Sequence, residues 1–455
     1  MNRIAKRSVT ILILIAVLVG GLGFFIGEYL AKGHNWVMHE GSPHIYSGEN
    51  IGTGIITDRD GYLLLDLNGQ RVYSPSMALR MSTMHWLGDR YGYISAPALT
   101  AYADEMAGYN SLTGLYSYSG SGQAKMTLSA HLQMSALEAM GDYKGTLAIY
   151  NYKTGEILCA VTTPTYDPDQ MPDVEGDTTG AYEGVYMNRF MQSVYIPGSI
   201  FKLVTTAAAL EEIPDIQEQT FTCTAIRKYG NDAVTCEYAH GKLDFYSALA
   251  QSCNCAFSEI VDQIGAEKLA EYVKKYQVTQ SVQFDGITSA AGNFQAASSA
   301  VEAAWSGIGQ YTDQINPCSY LKFMGAIANG GAAVEPYIVG EVTCDGKTTY
   351  QAQPALGDRV MAEDIAQTLQ EMMRNNVIKK YGADNFPGLT VCAKSGTGQV
   401  GGSQKSNAMF CGFVADEEYP LAFVVAVEDA GYGRFVCVPI LQEVLEVCKQ
   451  VLDNE

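Results

Sequence analysis

Apolar residues run along this chain in three different rhythms. The first is an uncharged run from Ser8 to Gly27, which follows Arg3, Lys6 and Arg7. About 20 residues at roughly 1.5 Å each cover the ~30 Å hydrocarbon layer of a bilayer, and basic residues ahead of such a run stay cytoplasmic. The run is too long for the apolar part of a cleaved signal peptide, and no clean small-x-small site follows it. It predicts one uncleaved membrane anchor, with the rest of the chain outside the cytoplasm; no second run of that kind occurs. The second rhythm is strand-like: Thr146–Tyr150 and Glu156–Val161 around a turn at Asn151–Gly155, then Val391–Lys394, Met409–Val414 and Leu421–Val427. The third is helical, at Leu203–Leu210, Tyr246–Ile260, Ala266–Tyr276, Tyr320–Ala328, Ala362–Asn375 and Val438–Leu452. Strands at both ends with helices between them predict an α+β layer, in which terminal strands pair around a helical insertion.

Before about Gly145 the pattern is weaker. Ile55–Leu65 reads as a hairpin turned at Asp60-Gly61, Tyr116–Gly122 as a flexible loop, and Leu128–Met140 as a helix capped by Ser129. No repeat and no recognisable chemistry lies there, so the segment reads as a spacer or docking domain. At 455 residues the chain has room for two or three domains, and 47% hydrophobic against 17% charged residues fits a folded protein. A net charge of −20 argues against nucleic acid and against wide contact with anionic headgroups, and leaves peptide substrates open. Eleven cysteines, an odd number, leave at least one thiol unpaired. Cys159, Cys411, Cys437 and Cys448 sit in apolar runs and read as core. Cys223 and Cys236 bracket the polar loop Thr224–Thr235 and are the candidate disulfide, a closure of about 3 kcal/mol. Cys253-Asn254-Cys255 lacks the spacing of a zinc knuckle, so no metal is expected.

The chemistry gathers around Tyr195-Ile196-Pro197-Gly198-Ser199-Ile200-Phe201-Lys202. Pro197-Gly198 is a turn, and Ser199 falls at the cap or first turn of the helix that follows. Three residues on, Lys202 shares its face. A desolvated amine beside a serine hydroxyl can take its proton, and free N–H groups of a first helical turn suit an oxyanion. Alone this is weak: with Ser and Lys each near roughly 6%, about one or two Ser-x-x-Lys occur by chance in such a length. Ser319-Tyr320-Leu321-Lys322 is one of those decoys. Ser252-Cys253-Asn254 adds a hydroxyl able to relay a proton and an amide that donates and accepts. Lys394-Ser395-Gly396-Thr397 ends a strand whose edge can pair with a peptide; Lys394, Ser395 and Thr397 would hold a carboxylate, and Gly396 keeps the edge bare. Lys153-Thr154-Gly155, in a hairpin turn, is a decoy for this motif too. Ser-x-x-Lys, Ser-x-Asn and Lys-[Ser/Thr]-Gly in that order form a known catalytic set.

With those motifs the sequence resembles a class B penicillin-binding protein, a membrane-anchored peptidoglycan D,D-transpeptidase. The resemblance extends to Gly145-Thr146 through Asp167-Pro168, to Asn188-Arg189, to Gly309-Gln310 and to the hairpin Met409–Val427. Ile55–Gly61 is similar to the motif opening that family's pedestal; Ser395 stands where threonine is commoner, and the pedestal is short. The resemblance implies an anchor over 1–30, a small mixed pedestal over 31–142 and a β-lactamase/transpeptidase-like domain over 143–455: an antiparallel sheet with helices on both faces and a helical subdomain. It implies that Ser199 attacks the penultimate D-Ala carbonyl of a stem pentapeptide while Lys202 takes the proton. Backbone N–H groups of Ser199 and Thr397 would hold the oxyanion, Ser252 linked to Lys394 would protonate the departing D-Ala, and Asn254 would position the donor. A neighbouring stem's amine would then resolve the acyl-enzyme, and β-lactams would acylate Ser199 and stay. It implies no cofactor or metal, and a separate membrane glycan polymerase as partner. A β-lactamase or β-lactam sensor shares the motifs, but no Glu-x-x-Leu-Asn occurs for deacylation. A D,D-carboxypeptidase differs only in its acceptor and stays open. A non-catalytic cell-wall scaffold would not need all three motifs intact. An attached glycosyltransferase would lack room before Gly145.

Overall fold

The structure, a computed structural model, describes residues 2–37, 46–47, 50–68, 70–107, 109–110, 114–115, 122–399 and 405–453. The loop expected at Tyr116–Gly122 lies outside the described residues, save Gly122. Helix α1 (Asn2–Val37) holds the uncharged run and leaves Ile11, Leu14, Leu18 and Phe24 exposed. It is long and apolar enough to cross a membrane.

The expected hairpin forms between Ile55–Thr57 and Leu63–Asp66. Its turn is organised by the Asp58 carboxylate, which accepts from the N–H groups of Asp60 at 2.9 Å and Tyr62 at 2.8 Å. The second oxygen of Asp58 accepts from Ala130 N–H, the first residue of α2 (Ala130–Met140), at 2.9 Å. Ser129 makes no side-chain cap bond there, so the cap expected from sequence is supplied by an aspartate 71 positions earlier in the chain (129 − 58). The hairpin belongs to a six-stranded sheet that also takes in Gly122–Met126 and, from far downstream, Val339–Cys344 and Lys347–Gln351. The segment before Gly145 therefore completes its sheet with strands from the other half of the chain.

The main sheet has five antiparallel strands: β1 (Gly145–Asn151), β2 (Ile157–Thr163), β3 (Val391–Gly398), β4 (Asn407–Val414) and β5 (Leu421–Val427), in spatial order β2-β1-β5-β4-β3. The expected pairing of first and last strands occurs with Leu147 opposite Val425 and Ile149 opposite Phe423. Strands β2 and β5 are buried along their whole length, because helices cover both faces. Leu147, Ile149, Phe410 and Val425 pack with α2 and the C-terminal helix; Ala148, Tyr150, Cys411 and Val424 pack with the inserted helices. Those helices are α3 (Lys202–Glu212), α4 (Phe245–Ala250), α5 (Asn254–Ile264), α6 (Pro317–Ala328) and α7 (Glu363–Asn376), and the chain closes with α8 (Gly433–Leu452). Cys159, Cys411, Cys437 and Cys448 are buried as expected.

Candidate active site

Ser199 lies in a single 3-10 turn, Gly198–Ile200, that feeds into α3. Gly198 has φ of +55°, and a Cβ there would come within 2.3 Å of the Thr397 carbonyl oxygen. Glycine is required by conformation and by close approach at once. Gly396 faces the same turn: a Cβ would meet the Pro197 oxygen at 2.6 Å. Its bareness thus seats β3 against the Ser199 turn, a different use from the substrate approach expected of it.

One turn beyond Ser199, Lys202 is completely buried. Its Nζ lies 2.7 Å from Ser199 Oγ, 2.8 Å from Asn254 Oδ1, 3.2 Å from Ser252 O and 3.3 Å from Ser252 Oγ. Burial holds the amine below its ordinary range, at about 8, although nearby Cys236 and Cys253 act in the opposite direction. Lys394 is buried too, with Nζ 3.2 Å from Ser252 Oγ and 2.7 Å from Ser395 O. Burial and then the charge of Lys202 push the Lys394 amine well below its usual value. Ser252 Oγ thus stands between two depressed lysines, able to donate to one and accept from the other. Lys394 addresses this hydroxyl from within the core, while its neighbours Ser395, Gly396 and Thr397 line the open cleft.

The helical pattern over Tyr246–Ile260 is broken at this motif, which the sequence sets at the end of the stretch Tyr246–Gln251. Ser252 is left-handed, φ +53°, and Cys253 restarts the chain as the N-cap of α5. The break turns Ser252 and Asn254 toward Lys202, and Asn254 Nδ2 donates to Thr235 O at 2.7 Å.

Among the described residues, strand β3 pairs only with β4, and it presents its other edge to the Ser199 turn. Gln310 Nε2 donates to Thr397 O on that edge at 3.1 Å. N–H and C=O of one strand residue point the same way, so Thr397 N–H faces that edge as well. Ser395 N–H donates to Tyr381 OH at 2.8 Å, and burial raises the Tyr381 phenol to about 12, keeping it protonated. A cleft of about 490 Å³ opens over this arrangement, lined by Ser199, Ser252, Asn254, Ser395, Gly396 and Thr397. Lys380 and Arg434 line it too. These two cations and Tyr381 carry no local motif, and only the fold assigns them to the site; Gln310 belongs to the Gly309-Gln310 pair already noted in the sequence.

The decoys lie elsewhere. Ser319 Oγ donates to Val278 O and Lys322 pairs with Glu335; Lys153 meets Asn329 at a surface turn. Cys223 and Cys236 are free thiols, which corrects the disulfide expected from their loop. Their sulfurs look inward, to His240 in one case and to Cys253 and Cys255 in the other.

Residues 145–446 match the family model described as penicillin binding protein transpeptidase domain. The chain is 25% identical over 364 residues to the peptidoglycan D,D-transpeptidase PbpA of Mycobacterium tuberculosis, covering 72% of this chain and 73% of that one. It is 28% identical over 334 residues to the stage V sporulation protein D of Bacillus subtilis, covering 69% and 50%. Its fold resembles that of penicillin-binding protein A from M. tuberculosis, solved as a ceftriaxone acyl-enzyme complex, with a TM-score of 0.73 and 23% identity over 87% of this chain and 98% of that one.

Proposed function

The chain belongs to the penicillin-binding protein transpeptidase family, and from that premise we propose how its own residues carry the reaction and where it runs. The protein is a peptidoglycan D,D-transpeptidase that works through a serine acyl-enzyme and is inhibited covalently by β-lactams. One observation carries the assignment of the nucleophile: a buried amine depressed to about 8 touches Ser199 Oγ at 2.7 Å. In the neutral form Lys202 accepts the hydroxyl proton as Oγ bonds to the penultimate D-Ala carbonyl carbon of a stem peptide. The oxyanion sits between the N–H groups of Ser199 and Thr397, where loss of one donor typically costs about 3 kcal/mol. The proton passes from Lys202 through Ser252, whose Oγ also meets Lys394, to the amine of D-Ala as the C–N bond breaks. Asn254 orients the donor backbone, and the donor lies along the edge of β3 that faces the cleft, with its carboxylate at Ser395 and Thr397, beside Lys380 and Arg434. An amine from a second stem then attacks the ester, and the proton it loses passes to Lys202 and on to Oγ as the ester bond breaks.

Helix α1 anchors the protein with its basic end in the cytoplasm and the catalytic domain outside. A separate membrane glycan polymerase supplies the strands to be cross-linked. Incubating the purified full-length chain in detergent with a stem-peptide donor and an amine acceptor tests the reading. The expected product is the donor–acceptor amide with one D-Ala released for each bond formed. Release of D-Ala with hydrolysed donor and no adduct would make the protein a carboxypeptidase instead.

A further inference from the structure

Four metal-binding side chains meet beside the Ser252 turn, and the acyl-transfer chemistry uses none of them. Three come from a strand insert in which Thr220–Cys223 pairs with Gly241–Asp244 and Ile226–Tyr229 with Asp232–Thr235. Cys223 ends the first of these strands, Cys236 follows Asp232–Thr235, and His240 immediately precedes Gly241; the fourth, Cys253, caps α5. Their donor atoms all lie within 4.8 Å of one another. Cys223 Sγ is 3.3 Å from His240 Nδ1, and Cys236 Sγ is 3.8 Å from Cys253 Sγ. Tetrahedral zinc, with bonds of about 2.0 Å to nitrogen and 2.3 Å to sulfur, sets its ligand atoms roughly 3.5–3.8 Å apart. A disulfide would need sulfurs at about 2.05 Å, and the three cysteines are unbridged. Backbone N–H groups of Cys255 and Ala256 point at Cys236 Sγ and Cys253 Sγ, each at 3.4 Å. Donors of that kind orient and stabilise metal-bound thiolates. Cys223 and Cys253 are buried, while Cys236 and His240 are partly open, which leaves an entry path.

We infer that Cys223, Cys236, His240 and Cys253 bind one zinc ion, which fastens the strand insert to the turn that presents Ser252 and Asn254. Three thiols give up their protons to water on binding and a neutral imidazole completes the sphere. Soft sulfur ligands in tetrahedral array select zinc over magnesium or calcium. Cys255, though its Sγ is 3.7 Å from Cys236 Sγ, stands outside the four. The ion's purpose follows from where Cys253 sits. It separates Ser252, whose backbone is left-handed, from Asn254, whose amide bonds to Thr235 O beside Cys236. A bond from Cys253 to an ion held by the insert fixes both neighbours. That positioning role rests on the acyl-transfer reading; the ion itself does not.

Full-length protein purified in detergent with reductant, loaded with zinc and dialysed, should retain about one zinc per chain by mass spectrometry of the elements. Cys255→Ser should retain it; Cys236→Ser and His240→Ala should each lose most of it. Because a substituted insert can misfold, the wild type is also exchanged into Co²⁺, where sulfur-to-cobalt charge-transfer and strong d–d bands are expected. Wild type that holds neither zinc nor cobalt overturns the site. So does undiminished zinc in a Cys236→Ser/Cys253→Ser double variant, or a peptide map with Cys236 disulfide-bonded to Cys253 or Cys255. Stripping zinc should slow penicillin labelling of wild type by about tenfold or more through misplacement of Ser252, and an unchanged rate removes the positioning role. Zinc-loaded wild type that is never labelled overturns the acyl-transfer reading and leaves the metal site standing.

Discussion

Lys202→Ala is expected to lower the rate at which penicillin acylates the protein by about 10²–10⁴-fold, the usual contribution of a placed general base. The size follows from protonation. An amine at about 8 in place of 10.5 is neutral in about one molecule in ten at pH 7, against roughly one in three thousand unshifted. Wild-type acylation should therefore rise with pH and level off above about 8. The same shift favours unfolding below that value. The folded state releases the lysine proton between 10.5 and about 8 while the unfolded chain keeps it, so the stability Lys202 contributes at high pH is lost as pH falls through about 8. Lys202→Arg is the discriminating variant. Its guanidinium keeps the charge and cannot give up its proton, so it should be as slow as alanine and show no rise with pH. Stopped-flow acylation across pH 6 to pH 10 measures all three; an arginine variant with wild-type speed would mean that the lysine acts by charge alone.

The largest effect on stability is expected at Arg189. Only 2% of it is exposed, and its guanidinium makes a fork over three partners: Nε to Glu428 Oε1 at 2.9 Å, Nη1 to Gly184 O at 2.9 Å and Nη2 to Glu183 O at 3.0 Å. Tyr195 OH donates to the same Glu428 oxygen at 3.1 Å, four residues ahead of Ser199. Removing one partner of a buried pair costs ~3–5 kcal/mol; Glu428 is 27% exposed, which places Arg189→Met near the lower end, about 3 kcal/mol. Lysine should not rescue it, having one point charge for three separated acceptors. Thermal denaturation of both variants beside wild type gives the answer. A Lys variant that melts with wild type would show that charge, and not the fork, holds this corner.

Much of this architecture can be seen in the residues themselves. Strands β1, β2, β4 and β5 are continuous apolar runs because both faces of the sheet are covered, and runs of that kind survive any error in period. The Ser199 turn is legible because Pro-Gly followed by an Ala- and Leu-rich stretch has few other solutions. A helical stretch ending at Gln251 is legible, but the left-handed backbone of Ser252 is not: serine has no preference for it, and the flanking residues continue a helical pattern across it. Tertiary contacts to Lys202 and Lys394 impose that turn. The Asp58 cap on α2 and the completion of the N-terminal sheet by Val339–Gln351 are likewise long-range, with no local trace. Cysteine spacing misleads for the same reason. Cys223 and Cys236 suggest a bridged loop and Cys253-Asn254-Cys255 suggests nothing, whereas in space Cys253 joins the first two and His240.

All of this depends on one hydroxyl becoming reactive through the amine beside it. The direct measurement is a mass spectrum of the protein and its peptides after brief exposure to penicillin G, with Ser199→Ala alongside. Addition of one intact penicillin to wild type, mapped to the peptide bearing Ser199 and missing from the variant, is the expected result. An adduct on another residue, or equal addition to Ser199→Ala, would contradict it.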